Sequence, residues 1–87
     1  MSTIESEHYA QTRQRLAADP IVQNMAIGLQ GVPRDQLTHD DGGPRFEFMQ
    51  AANHEYENRG GTDGARHIGA VAEALLQLLD FIESKGN

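Results

Sequence analysis

Apolar positions recur with helical spacing in several stretches of this 87-residue chain, most clearly toward the C terminus. There Ile68, Leu75 and Ile82 repeat at intervals of seven, Val71 and Leu78 repeat at seven between them, and Ala72 and Leu79 widen the stripe. Such a repeat lies on one face of a helix, predicted from Thr62 or Asp63 as N-cap to about Ser84. Leu76 and Phe81 fall beside the stripe, so this helix has apolar surface on more than one side. The second side is predicted to meet a copy of itself, with Leu76 and Phe81 as the oligomer interface of a homodimer or higher homo-oligomer.

Asp19–Pro20 opens an earlier helix, because aspartate caps well and proline at the first helical position loses no hydrogen bond. Ile21, Val22, Met25, Ala26 and Leu29 share one face of it, and Gly31, Val32 and Pro33 read as its stop. Residues 2–18 also read as a helix, with Ser2 and Glu5 at the spacing of a capping box. Its stripe is weak, since Ile4, Tyr9 and Leu16 are supported only by alanines. Residues 1–18 are therefore predicted to lie on the rest as an N-terminal helical arm. Over 45–59, Phe46, Met49, Ala52 and Tyr56 favour a further helix. The alternation at 45–48 would suit a strand, but no partner strand is visible.

Residues 33–44, PRDQLTHDDGGP, hold Asp35, Asp40 and Asp41 among glycines and prolines with no periodicity. They read as an exposed connector with room for one helical turn around Arg34–Leu37. The expected fold is all-α, a small four-helix bundle forming a single domain over 1–87. Its last two helices make a C-terminal hairpin across the GGTDG turn. Ten of the apolar residues are alanine, which makes the core look thin. A chain this short buries only about 60% of its unfolded surface, so burial from a self-partner would help it.

Thirteen acidic against seven basic side chains give a net charge of −6. The excess is spread over both halves. Such a field repels phosphate backbones, so direct nucleic-acid binding is disfavoured and a protein partner with a basic surface is expected. Six of the seven bases are arginine, which suits fixed bidentate pairing. The N-terminal residues MSTIESEHYAQ lack the basic and apolar regions of a signal peptide. Glu73, Gln77 and Asp80 interrupt the longest apolar stretch, so no membrane span is expected. The expected location is the cytoplasm of the producing or host cell. Without cysteine there is no disulfide, thiolate zinc site or cysteine nucleophile.

Catalytic chemistries find little support. His54-Glu55-Tyr56-Glu57-Asn58 begins like a zinc-protease HExxH helix but has asparagine where the second histidine belongs. Glu5/His8 and His54/Glu57 share helical faces, yet a di-metal bundle needs a second E-x-x-H and two further carboxylates. No metal and no cofactor are expected. Serine occurs only at 2, 6 and 84, with no nucleophile elbow. The pairs Glu55/Glu57 and Asp40/Asp41 lack the apolar cleft that acid–base work needs, and are read as partner-binding acids. Glu55/Glu57 is the stronger pair, because a helix presents charge in a fixed pattern whereas a loop must first be ordered. The segment Gly60–His67 could take an anion at a helix N-terminus, with Arg66 and His67 adding charge. It is not a P-loop. Tyr9 and Arg13, one helical turn apart, would complete that alternative ligand site.

In length, acidity, helicity and lack of cysteine, the chain resembles the small proteins with which phages and mobile elements block a host enzyme or defence complex. The resemblance implies a non-enzymatic inhibitor or antagonist that binds a macromolecular partner. The alternative is a helical oligomer that binds a small ligand or nucleotide through the Gly60–His67 turn.

Overall fold

The computed structural model describes residues 3–61 and 69–85, with side chains in the first helix from Tyr9 onward. These residues form α1 (Thr3–Ala17), α2 (Pro20–Gly28), the single turn α3 (Arg34–Leu37), α4 (Phe46–Asn58) and α5 (Ala70–Lys85). The fold is all-α, as the periodicity implies. The capping box at Ser2, the N-cap at Thr62 or Asp63 and the apolar position Ile68 lie outside the described residues.

Local chemistry explains the boundaries. Asp19 Oδ1 accepts the Ile21 backbone N–H at 2.8 Å with Pro20 next in the chain, so α2 starts where its cap requires. At the end of α4, Gly60 N donates to Glu57 O at 3.0 Å and Gly61 N to Tyr56 O at 2.9 Å. This is a Schellman motif with its left-handed residue at Gly60, φ +102°, a conformation costly for any residue with a Cβ.

Three helices, α1, α2 and α4, pack on α5, which is the hub of the bundle. Leu16, Val22, Val71, Leu75 and Leu79 are the largest fully enclosed side chains. The alanines prove to be core rather than filler: Ala26, Ala70, Ala72 and Ala74 are all buried. Small side chains at these sites let neighbouring backbones approach, which is how a core of few large residues still closes.

The expected N-terminal arm is, over its described residues, an integral helix of the bundle. Helix α1 makes the most extensive packing on α5, Leu16 is 0% exposed and Thr12 only 7%. Part of this contact is polar. The Tyr9 hydroxyl donates to Glu73 Oε2 at 2.6 Å and Arg13 Nη1 to Glu73 Oε1 at 3.3 Å, so the weak apolar stripe understates it. Of the second apolar side of α5, Leu76 is half-buried beside Arg13 of α1, whereas Phe81 is exposed.

Helices α2 and α4 both sit on α5 but scarcely on each other. An open groove of about 320 Å³ lies between them, with Leu75 among its lining residues.

Candidate functional site

The segment from α3 to the start of α4 is an ordered knuckle. Thr38 N closes α3 on Arg34 O at 2.9 Å, and Arg45 N returns to Leu37 O at 2.8 Å. Thr38 and Pro44 form an antiparallel bridge. Between them His39 N donates to Gly43 O at 2.8 Å and Gly42 N to His39 O at 2.9 Å, with Gly42 at φ +91°. Asp40 and Asp41 are the two central residues of this turn. Asp41 Oδ1 also accepts Gly43 N at 2.9 Å, and Arg45 Nε grips Asp35 O at 2.9 Å. Buried Leu37 anchors the knuckle to the core.

This result alters the comparison between the two acidic pairs. The Asp40–Asp41 loop was expected to need ordering before it could bind, but its backbone is already fixed. Asp35, Asp40, Asp41 and Glu47 are all exposed on the knuckle and its junction with α4. Phe46 sits among them in sequence, 53% exposed. The described ion pairs run from Arg13 to Glu73, from Arg34 to Asp80 and Glu83, and from Arg59 to Glu55. These four acids lie outside them.

Glu55 and Glu57 do not form the fixed pattern assigned to them. Two residues apart on a helix means about 160° of separation, so they face opposite ways. Glu55 Oε2 accepts from Arg59 Nε at 2.6 Å one turn on, which offsets its charge. Glu57 is exposed on the far side. His54 is exposed as well, while the Glu5 and His8 side chains fall outside the described set. Among the described residues, no group of three or more His, Cys, Asp or Glu side chains is placed to hold a metal ion.

The alternative ligand residues are divided. Arg66 and His67 lie outside the described residues. Tyr9 and Arg13 do come together, with the guanidinium 6.0 Å from the ring centroid, but the carboxylate they grip is Glu73 of the same chain. Burial, and then the hydrogen bond to Glu73, push the Tyr9 phenol above its ordinary range, so it stays protonated and donating.

Leu76 and Phe81 do not make one patch. Five positions apart, they diverge by about 140° around α5. Leu76 is half-buried beside Arg13 and Pro44. Phe81, 58% exposed, borders a shallow groove with Ala17, Ala18 and Leu78, and its ring lies 5.3 Å from Lys85 Nζ.

Asp35 and Phe46 read in the sequence only as a connector residue and a stripe position, and Glu47 as neither, because nothing in the spacing joins α3 to α4. The signal that joins them is Arg45, whose side chain and backbone both reach back to the α3 segment.

Over 85 residues the chain is 47% identical to the Gene 80 protein of Mycobacterium phage L5, covering 94% of this chain and 91% of that one. The chain belongs to that protein's family. A phage gene product is therefore among its relatives, and the name specifies neither substrate nor partner. The likeness extends over nearly the whole of both chains. No family model matches the chain, and no solved structure does. Among the described residues, no helix is long and apolar enough to cross a membrane.

Proposed function

We propose that this chain is a non-enzymatic interaction protein whose acidic knuckle occupies a basic surface on a protein partner and antagonises it. It would act in the cytoplasm of the cell that makes it or that the phage enters. The observation that carries this reading is the hydrogen-bonded turn at 38–44, which holds Asp40 and Asp41 outward with Asp35 and Glu47 nearby. A preordered turn loses little conformational freedom on binding. Exposed acids outside the chain's own ion pairs leave their field available to steer a basic partner. The phage relative fits the same picture, given the chain's resemblance in length, acidity and helicity to the phage proteins that block a host enzyme or defence complex.

The test is affinity capture at low and high salt, followed by association kinetics with the basic protein retained. The double reversal Asp40→Lys, Asp41→Lys is expected to slow association about tenfold at low salt while helicity by circular dichroism stays unchanged. Glu57→Lys is expected to have a much smaller effect. An association rate indifferent to salt and to the double reversal overturns the proposal.

A further inference from the structure

Between the knuckle tip and the helices behind it lies an open cleft of about 470 Å³. Gly42, Gly43 and Pro44 form one wall, and Glu73, Leu76, Gln77 and Asp80 of α5 form the other, with Arg13 of α1 also on the lining. Leu76 and Pro44 are half-buried and supply its apolar part. Glu73 and Asp80 are two turns apart on α5, about 10 Å along the axis, so the cleft has two distinct ends.

The ends differ in charge. At the Glu73 end both carboxylate oxygens are used, Oε2 by the Tyr9 hydroxyl at 2.6 Å and Oε1 by Arg13 Nη1 at 3.3 Å. Acid and base cancel there, and Arg13 is held at that end. At the Asp80 end only Oδ1 is used, by Arg34 Nη1 at 2.8 Å. Arg34 divides itself between Asp80 and Glu83, and one cation between two carboxylates leaves a negative charge over. Asp80 Oδ2 and the side-chain amide of Gln77 have no hydrogen-bond partner among the described residues. The facing wall adds the same sign, because Asp41 Oδ1 lies 2.9 Å from Gly43 N.

We infer that this cleft receives an arginine side chain of the protein partner. The inference rests on the proposed function in one respect, that the partner is basic. The aliphatic stem lies along Leu76 and Pro44. The guanidinium reaches Asp80 Oδ2 and the Gln77 amide oxygen, one turn apart on the same face of α5, and its planar fork serves two acceptors at once where an ammonium is a point charge. A cleft of this volume has room for the side chain and the short stretch of backbone that carries it.

The probe is the blocked tripeptide acetyl-Gly-Arg-Gly-amide, titrated to millimolar concentration into the full chain labelled with ¹⁵N. The control peptide carries citrulline, which keeps the shape of arginine without its charge. The arginine peptide is expected to shift the amides of Gly42, Gly43, Leu76, Gln77 and Asp80, and the citrulline peptide to bind at least about threefold more weakly. Asp80→Asn removes the open carboxylate and Gln77→Lys sets a cation beside it, and each is expected to weaken arginine binding at least about threefold. Glu57→Gln and Gln50→Lys make the same changes of charge on α4, outside the cleft, and should leave binding as in the wild type. All four substitutions fall at exposed positions, and each variant is checked for wild-type helicity.

Arginine binding indifferent to both Asp80→Asn and Gln77→Lys overturns the proposal, as do shifts confined to residues outside the cleft or no shift at all at millimolar peptide. Citrulline binding as tight as that of arginine overturns the choice of a cationic occupant. Shifts of the cleft amides that grow with protein concentration in the absence of peptide make a second copy the occupant and also overturn it. The knuckle reading is judged separately, by the Asp40, Asp41 reversal measured with the captured partner.

Discussion

Tyr9 and Glu73 are 64 positions apart in sequence, yet the phenol donates to the carboxylate at 2.6 Å and ties the first helix to the last. Glu73 also receives Arg13, so one side chain on α5 holds two from α1. Tyr9→Phe removes the neutral donor and leaves the ion pair. The expected loss is about 1 kcal/mol for a partly exposed bond to a charged group, or roughly 4–8 °C in melting temperature for a domain of this size.

The same contact sets an alkaline limit. The Tyr9 phenol is raised by burial and by Glu73, whereas in the unfolded chain it titrates near its ordinary value of about 10. Its contribution is fully present below that value and is lost as pH rises above it toward the folded-state value. Denaturant unfolding of wild type is expected to weaken from about pH 10 upward, and Tyr9→Phe is expected to show a shallower decline.

Leu16→Ala distinguishes a packed α1 from an arm. A wholly buried leucine in contact with the core is expected to cost about 2–5 kcal/mol when truncated, measured by urea denaturation. A cost below 1 kcal/mol would restore the arm description.

The glycines should separate into opposite classes in thermal melts. A Cβ at Gly61 would overlap the Tyr56 ring, so Gly61→Ala is expected to destabilise by about 1–3 kcal/mol. Gly28→Ala meets open space and is expected to stabilise by up to about 1 kcal/mol.

Arg34 bridges Asp80 at 2.8 Å and Glu83 at 2.9 Å, joining the knuckle to α5. The two carboxylates, chiefly through the hydrogen bond to Asp80, hold its guanidinium firmly protonated. Both acids are well exposed, so Arg34→Ala is expected to cost no more than about 1 kcal/mol, less at high salt.

Elements written in side-chain pattern were legible beforehand. The Asp19–Pro20 cap and the turn at Arg34–Leu37 follow from local propensity and appear where it places them, whereas α4 buries Phe48, Ala52 and Tyr56 and leaves Phe46 of the expected stripe exposed. What periodicity misses is polar packing and backbone pairing. Helix α1 holds its neighbour partly through Tyr9, Arg13 and a buried Thr12, none of which counts as apolar spacing. The knuckle owes its order to main-chain hydrogen bonds around Gly42, and a run of Asp, Gly and Pro says only that a turn is available. The pairing of Glu55 with Arg59 was readable from its one-turn spacing. Grouping Glu55 with Glu57 instead followed chain adjacency, which on a helix points side chains apart.

One carboxylate also governs the spread of the groove. Asp19 caps α2 with Oδ1 and, through Oδ2, accepts the Tyr56 hydroxyl of α4 at 2.9 Å. Helices that barely touch are thereby yoked, and slackening this link would loosen the first turn of α2 and the last turn of α4 in concert. In native-state hydrogen exchange, these two turns should open as one cooperative unit. Asp19→Ala should uncouple their protection, turning a groove of set width into one that breathes.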